Sequence, residues 1–411
     1  MTLWPDMKVG RAARLISGVG FPHQYQGKTS GAHPFLKVSD LASAVSGYRL
    51  VTAQNWVGQA DLASLGARLA PMGAIVFPKV GAAMLKNPRC LLDLPAAMDN
   101  NLMAVVPNSG EPRFWLYALS TIDLSEIAAG GALPYVNEGQ IRDLRIPFPS
   151  VEQQRRIADF LDAETARIDK LIQLYSRMSG LADERSQRVL DEAIEAETNL
   201  VPLRYAVRFR EGPGIMAVDF KDDGVPLIRI AGLKKGEVTL SGCNFLDPAK
   251  VAQQWSQFRL RVGDRLISGS ATMGEVSVVR DPAVAGSIPY TGLIILRPVE
   301  DSVDMEYVEA YLRSSHFAHQ INLLKTGATM QHFGPTHLSQ VRAPLPSLDD
   351  QRRTAAIARG ALRHASTCDE LTRRQVALLN ERRQALITAA VTGQFDVATA
   401  SGRNVTEGVT V

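Results

Sequence analysis

Two kinds of apolar pattern alternate along these 411 residues. Through residues 1–149, short apolar runs are broken by Gly, Pro and Asn. Residues 33–38, 73–77 and 101–106 have the length and composition of strands, and residues 113–119 suit a short helix. Past residue 150 the apolar positions are spaced three and four apart: Ile157, Leu161, Ile168, Leu171, Tyr175, Met178, Ala182 and Val189. That spacing predicts one long helix over about 151–197 with a coiled-coil seam, interrupted by Glu164 and Arg185. The stretch holds no Pro and one Gly, Gly180, and would span roughly 70 Å if unbroken. Both patterns then recur. Residues 225–230, 263–268 and 292–297 repeat the three strands in order, and 305–313 the short helix. A second long helix is expected over about 350–391, with the small residues Ala358, Ala361 and Ala365 on its stripe beside Cys368, Leu379 and Leu386. Gly393 suits the residue that stops it.

The joints between the patterns are duplicated in letters. Residues 146–158 read IPFPSVEQQRRIA and residues 343–355 read APLPSLDDQRRTA, with a constant offset of 197 and seven of thirteen positions identical. Pro147, Pro149, Pro344 and Pro346 cannot lie in a helix interior, so each copy predicts extended chain before a helix start. Ser150 and Ser347 are good N-caps, and Gln153 makes a capping box possible. Glu152, Asp349 and Asp350 put negative charge at the positive end of each helix dipole. The expected organisation is a mixed α/β block at 1–149, a helix at 150–199, a second block at 200–346, a second helix at 347–393 and a flexible tail at 394–411. These are the only two long helices read from the sequence, and neither stripe is rich enough to stand alone, so they are expected to pair with each other.

Composition adds bounds. Apolar content of 45% and charged content of 21% suit a folded chain with real cores. No run approaches the ~18 apolar residues needed to span a bilayer, and the N-terminus lacks a secretory apolar region. Cys90, Cys243 and Cys368 are odd in number and far apart, as in a reducing compartment, so a cytoplasmic location is expected. The net charge of +3 is unevenly spread: residues 1–150 carry 13 basic and 10 acidic side chains, 151–200 carry 7 and 11, and 201–348 carry 16 and 14. Mildly basic blocks and an acidic first helix are compatible with nucleic acid at the former and protein at the latter.

Catalytic frames are missing from the sequence. Gly27-Lys28-Thr29 resembles the end of a phosphate-binding loop, but Pro22 stands where that loop needs Gly. Gly18 and Gly20 would need a third Gly at 23, where His23 stands. There is no Asn/Asp-Pro-Pro-aromatic motif for adenine amino-methyl transfer. His316 and His319 could share a helix face, but no carboxylate or thiol motif joins them, and an ordinary His pair is favoured over a metal site. The chain is expected to bind rather than catalyse, with no metal and no cofactor of its own.

Polar and basic residues gather in loops of both blocks. In the first these are Tyr25, Lys28, Thr29, Lys79, Lys86, Tyr135, Asn137 and Gln140. In the second they are Arg229, Lys234, Ser268, Ser270, Thr272, Thr329, Gln331 and His332. Asn and Gln pair with adenine, Arg and Lys with guanine, and Ser or Thr with either, while basic groups also hold phosphates. These loops are the candidate DNA contacts; the ordinary alternative for any one of them is a solvated loop.

The chain resembles the specificity (S) subunits of type I restriction–modification systems over its whole length. The residues that carry the resemblance are 146–157 with the helix that follows, the second linker copy, and the closing segment 386–397, LITAAVTGQFDV. Residues 20–22 with 34–41, and 263–270, resemble parts of that family's target-recognition domains. Residues 73–79 lack the later motif's acid and Ser, and Asp349-Asp350-Gln351 departs from the usual linker. The resemblance implies an α+β architecture in which two target-recognition domains alternate with two helices paired as an antiparallel coiled coil. Each domain would read one half of a bipartite site on double-stranded DNA, and the helices would set the gap. They would also dock two modification (methyltransferase) subunits, which hold S-adenosylmethionine, while restriction subunits supply ATP- and Mg-dependent translocation and cleavage. No membrane is implied. The competing reading is a helical scaffold for protein assembly that never meets DNA.

Overall fold

The computed structural model describes residues 4–43, 49–50, 53–131, 133–195, 200–234, 236–270, 273–300, 303–324 and 332–397. Four helices carry the argument: α1 (Pro112–Ser120), α2 (Val151–Glu195), α3 (Met305–Leu312) and α4 (Leu348–Thr392). The chain divides into two units. The first holds residues 1–176 and 372–411, and the second holds residues 177–371. Each long helix of 45 residues therefore begins in one unit and ends in the other.

In the first unit a five-stranded sheet has the order Ala13–Ser17, Leu102–Pro107, Ile75–Pro78, Cys90–Leu92, Arg49–Leu50. Its central strands are buried along their length, which explains runs such as Ile75-Val76-Phe77 that do not alternate. A three-stranded sheet centres on His33–Leu36, antiparallel to Asn55–Val57 and parallel to Ala97–Met98. Asp6–Lys8 pairs with Arg145–Pro147, Met7 opposite Ile146, so the start of the domain is tied to the linker copy.

The second unit repeats this plan. Val207–Glu211, Leu293–Pro298, Arg265–Ser268 and Val276–Val278 lie in the corresponding sheet order, extended by Glu237–Val238 and Leu233–Lys234. Val225–Ile228 again has one antiparallel neighbour, Asn244–Leu246, and one parallel neighbour, Ile288–Pro289. Leu200–Pro202 pairs with Arg342–Pro344, Val201 opposite Ala343. The three strands and one short helix expected in each block are all present. The tie strands were not expected, because three residues are too few to display a period.

The long helices complete the cores. In the first unit Ile157, Ala158 and Leu161 of α2 and Ile387, Ala390 and Val391 of α4 pack with Phe114, Trp115 and Tyr117 of α1. Asp169 pairs with Arg383, and Phe160 meets Phe395 edge-on at 5.6 Å, so α2 and α4 run antiparallel here. In the second unit Leu190 and Ile194 of α2 and Ala358 of α4 join Tyr311, Phe317 and Phe333. Each buried Val, Leu, Ile or Phe among these contributes about 1.5–3 kcal/mol and the alanines less, so both helices add to the core of each domain. The expected seam holds at its start, with Ile157, Leu161 and Ile168 buried, but Leu171 and Met178 are 43% and 46% exposed, and Ala182 and Val189 are half-buried. A straight helix of 3.6 residues per turn drifts about 20° per heptad from a strict seven-residue stripe. Gly393 takes φ 74° and ends α4 as expected; its N–H donates to Ala390 O and that of Gln394 to Ala389 O. Among the described residues no helix is long and apolar enough to cross a membrane.

Candidate nucleic-acid interface and its duplicated mounts

Each domain is fixed to the start of its long helix by a glutamine of the repeated segment. Gln154 is wholly buried; its Oε1 accepts from the Glu111 N–H at 3.0 Å and its Nε2 donates to Pro149 O at 3.0 Å. Gln351, 2% exposed, accepts from the Asp304 N–H at 2.8 Å and donates to Pro346 O at 2.9 Å. Glu111 and Asp304 are the N-caps of α1 and α3. One side chain thus bonds a helix start in the domain to the extended chain before the long helix. Gly110, φ 98°, lies so close to Gln154 that a Cβ would stand 2.4 Å from its Oε1, so only Gly fits. The Ser caps form as expected: Ser150 Oγ accepts from the Gln153 N–H and Ser347 Oγ from the Asp350 N–H, each at 3.3 Å. The Ser347 hydroxyl in turn donates to the Asp350 carboxylate and, with Arg353, holds that carboxyl below the usual range.

Beside these identical clamps the charges are inverted. Arg113 of α1 bonds Asp159 and Asp162 of α2, each at 2.8 Å, and its own Glu111 at 2.9 Å. In the second unit Glu306 of α3 pairs with Arg359 of α4, which stands 197 residues after Asp162. Burial pushes Glu111 up, but bonds from the Arg113 side chain and N–H outweigh it and hold the carboxyl below the ordinary range. Sequence reading did not single out Gln154, Gln351 or Arg113. The identical QRR of the two linker copies was the available signal for the glutamines.

The expected contact residues fall into two groups. Exposed and able to meet a ligand are Thr29, Lys86 and His332, with Tyr135 44% exposed. Tyr25 ends a short 3₁₀ turn and is half-buried, as is Lys79 just after the strand Ile75–Pro78. Lys28 pairs with Asp61 at 3.0 Å, and Lys234 donates to Ser241 Oγ at 2.6 Å, both near the surface. Arg229 is half-buried, 4.3 Å from the Tyr290 ring centre and bonded to Asn244. Others are engaged in structure. Asn137 and Gln140 form the capping box of the helix Glu138–Asp143. Ser268 is fully buried and donates to Ser270 O at 2.6 Å. Ser270 is half-buried. Thr272, Thr329 and Gln331 lie outside the described residues. Among the described residues no group of His, Cys, Asp or Glu could hold a metal.

Residues 74–174 match a family model described as the type I restriction modification DNA specificity domain. The chain is 21% identical over 305 residues to the type I restriction enzyme MjaVIII specificity subunit of Methanocaldococcus jannaschii, covering 69% of this chain and 70% of that one. It is 24% identical over 325 residues to the putative MjaX specificity subunit of the same organism, 73% and 72% covered. A chain solved in a study of complex assembly and conformational transition of the type I R-M system superposes with a TM-score of 0.72 at 20% identity, covering 95% and 98%. The HsdS subunit from Thermoanaerobacter tengcongensis gives 0.52 at 20%, covering 95% and 97%.

Proposed function

We propose that this chain, which belongs to the family of type I restriction–modification specificity (S) subunits, reads a bipartite DNA site, one half with each domain. The observation that carries this reading is a duplicated chassis with unlike loops. The two domains share sheet order, tie strands and Gln clamp, yet differ in the side chains their loops offer. Two mounts of one design holding different readers suit an asymmetric site. Each reader contributes ~1–3 kcal/mol per good bidentate base contact, and linkage makes the second encounter effectively intramolecular. Lys28, Lys79, Lys86, Arg229 and Lys234 are assigned to phosphates or guanine. Tyr25, Thr29, Tyr135, Ser270 and His332 are assigned to base edges or stacking.

In this reading the chain is the non-catalytic member of its complex. The helices hold two modification subunits and set the gap between half-sites. S-adenosylmethionine belongs to those subunits, and ATP and Mg to restriction subunits. Methylation mapped in cells tests the assignment. Exchanging residues 1–149 for those of another specificity subunit should change one half-site and leave the other and the gap unaltered; an unchanged methylation pattern would refute it.

A further inference from the structure

Between α2 and α4 in the second unit lies a crevice of about 310 Å3. Its apolar lining is Ala182, Val189, Ala356, Ile357, Gly360 and Ala361. Ser186 also lines it, is 6% exposed, and its Oγ has no hydrogen-bond partner. A buried hydroxyl left without a partner costs about 1–3 kcal/mol, so this atom is suited to a group that arrives from outside. A Cβ on Gly360 would meet nothing within 4 Å.

The repeat supplies a comparison inside the same chain. Moving 197 residues along both helices gives the matching place in the first unit, and there the space is filled. Leu379 stands for Ala182, Arg383 for Ser186 and Leu386 for Val189. On the other helix Phe160 stands for Ile357 and Glu164 for Ala361. Arg383 pairs with Asp169, and Phe160 is covered by Phe395. The first unit closes its helix pair with an aromatic pair of its own, and the second leaves the corresponding volume open.

Resting on the reading above that the helices carry modification subunits, we infer that this crevice is a socket for one bulky side chain of such a subunit, largely apolar but with a polar atom that meets Ser186 Oγ, flanked there by a carboxylate. The lining is mostly apolar, with Ala182, Val189, Ala356, Ile357 and Ala361, which suits a protein side chain better than a phosphate. Arg185 and His364 line the opening, and Arg363 is exposed beside them on α4. Among the described residues neither Arg185 nor Arg363 has an ion pair, so a carboxylate complements the rim. The two modification subunits are then seated differently, one on a filled surface and one through a plug.

The test uses the full chain with its modification subunits, followed by native mass spectrometry and by titration. Gly360→Leu adds a side chain to the lining of the socket at a position where a Cβ meets nothing within 4 Å, and replaces a poor helix former. It should weaken one of the two binding steps about tenfold or more, leaving the other step and the helix content unchanged. Arg185→Glu should weaken the same step, independently of any packing change. Two copies bound with parental affinity by both variants would overturn the socket and leave the proposed function standing. A parent chain that binds no modification subunit would overturn the proposed function, and the socket with it. Self-association of the chain that Gly360→Leu abolishes would identify a second copy as the occupant and also overturn the inference.

Discussion

Gln154 shows how much one side chain can settle. It joins a part-buried backbone N–H of the domain to a buried carbonyl of the linker. Removing it leaves both without a partner, at about 1–3 kcal/mol for a buried orphan. Gln154→Ala and Gln351→Ala should each lower unfolding free energy by about that amount in denaturant titrations, and equal losses would mark the clamps as equivalent. Cys90 tests burial at the same scale. It is 1% exposed, and burial pushes its thiol up to about 12, with Arg89 pulling the other way. A thiol reagent should modify the half-buried Cys243 and Cys368 of the native protein and spare Cys90. Labelling of Cys90 at the same rate would show that the first domain opens readily.

Among the elements, α1 and α3 are the contact points between domain and rod. The N-cap of α1 is the carboxylate Glu111, held below its ordinary range by Arg113 despite burial. Its contribution is fully present above the unfolded value of about 4.3 and is lost as the pH falls through the lower folded value. Acid should therefore loosen the first mount, and Glu111→Gln should flatten the stability profile below about pH 4.5. An unaltered profile in circular dichroism melts would show that the carboxylate does not matter. The long helices were legible from spacing, and their starts and stops from Pro, Ser and Gly. Which residues of the stripe are buried was not. Leu171 and Met178 fit the heptad in letters, yet stay exposed because the helix rotates its stripe away from a fixed neighbour.

For the whole molecule, the proposed function makes the helices a measure of distance. Four residues inserted near Met178 would add about 6 Å of helix at 1.5 Å per residue. The methylated site should then acquire a longer gap between its halves, or methylation should be lost. An unchanged gap with full activity would remove the helices from the reading.

The sequence alone determined the order of blocks and rods, the duplication, and the expected strands and short helices. Those features are local: apolar period, Pro before a helix, Gly after one, and an offset of 197 in letters. It also pointed to loops rich in basic and amide groups, but not to their state. Asn137 and Gln140 read as base-pairing amides and are engaged as a helix cap; Ser268 reads as a loop hydroxyl and is fully buried. Only the tertiary structure decided that Gln154 and Gln351 are clamps, that the ion pairs beside them are inverted, and that one helix pair is filled where its twin is open. Each of these depends on two segments more than forty residues apart meeting within a few ångströms, and no window along the chain contains both partners.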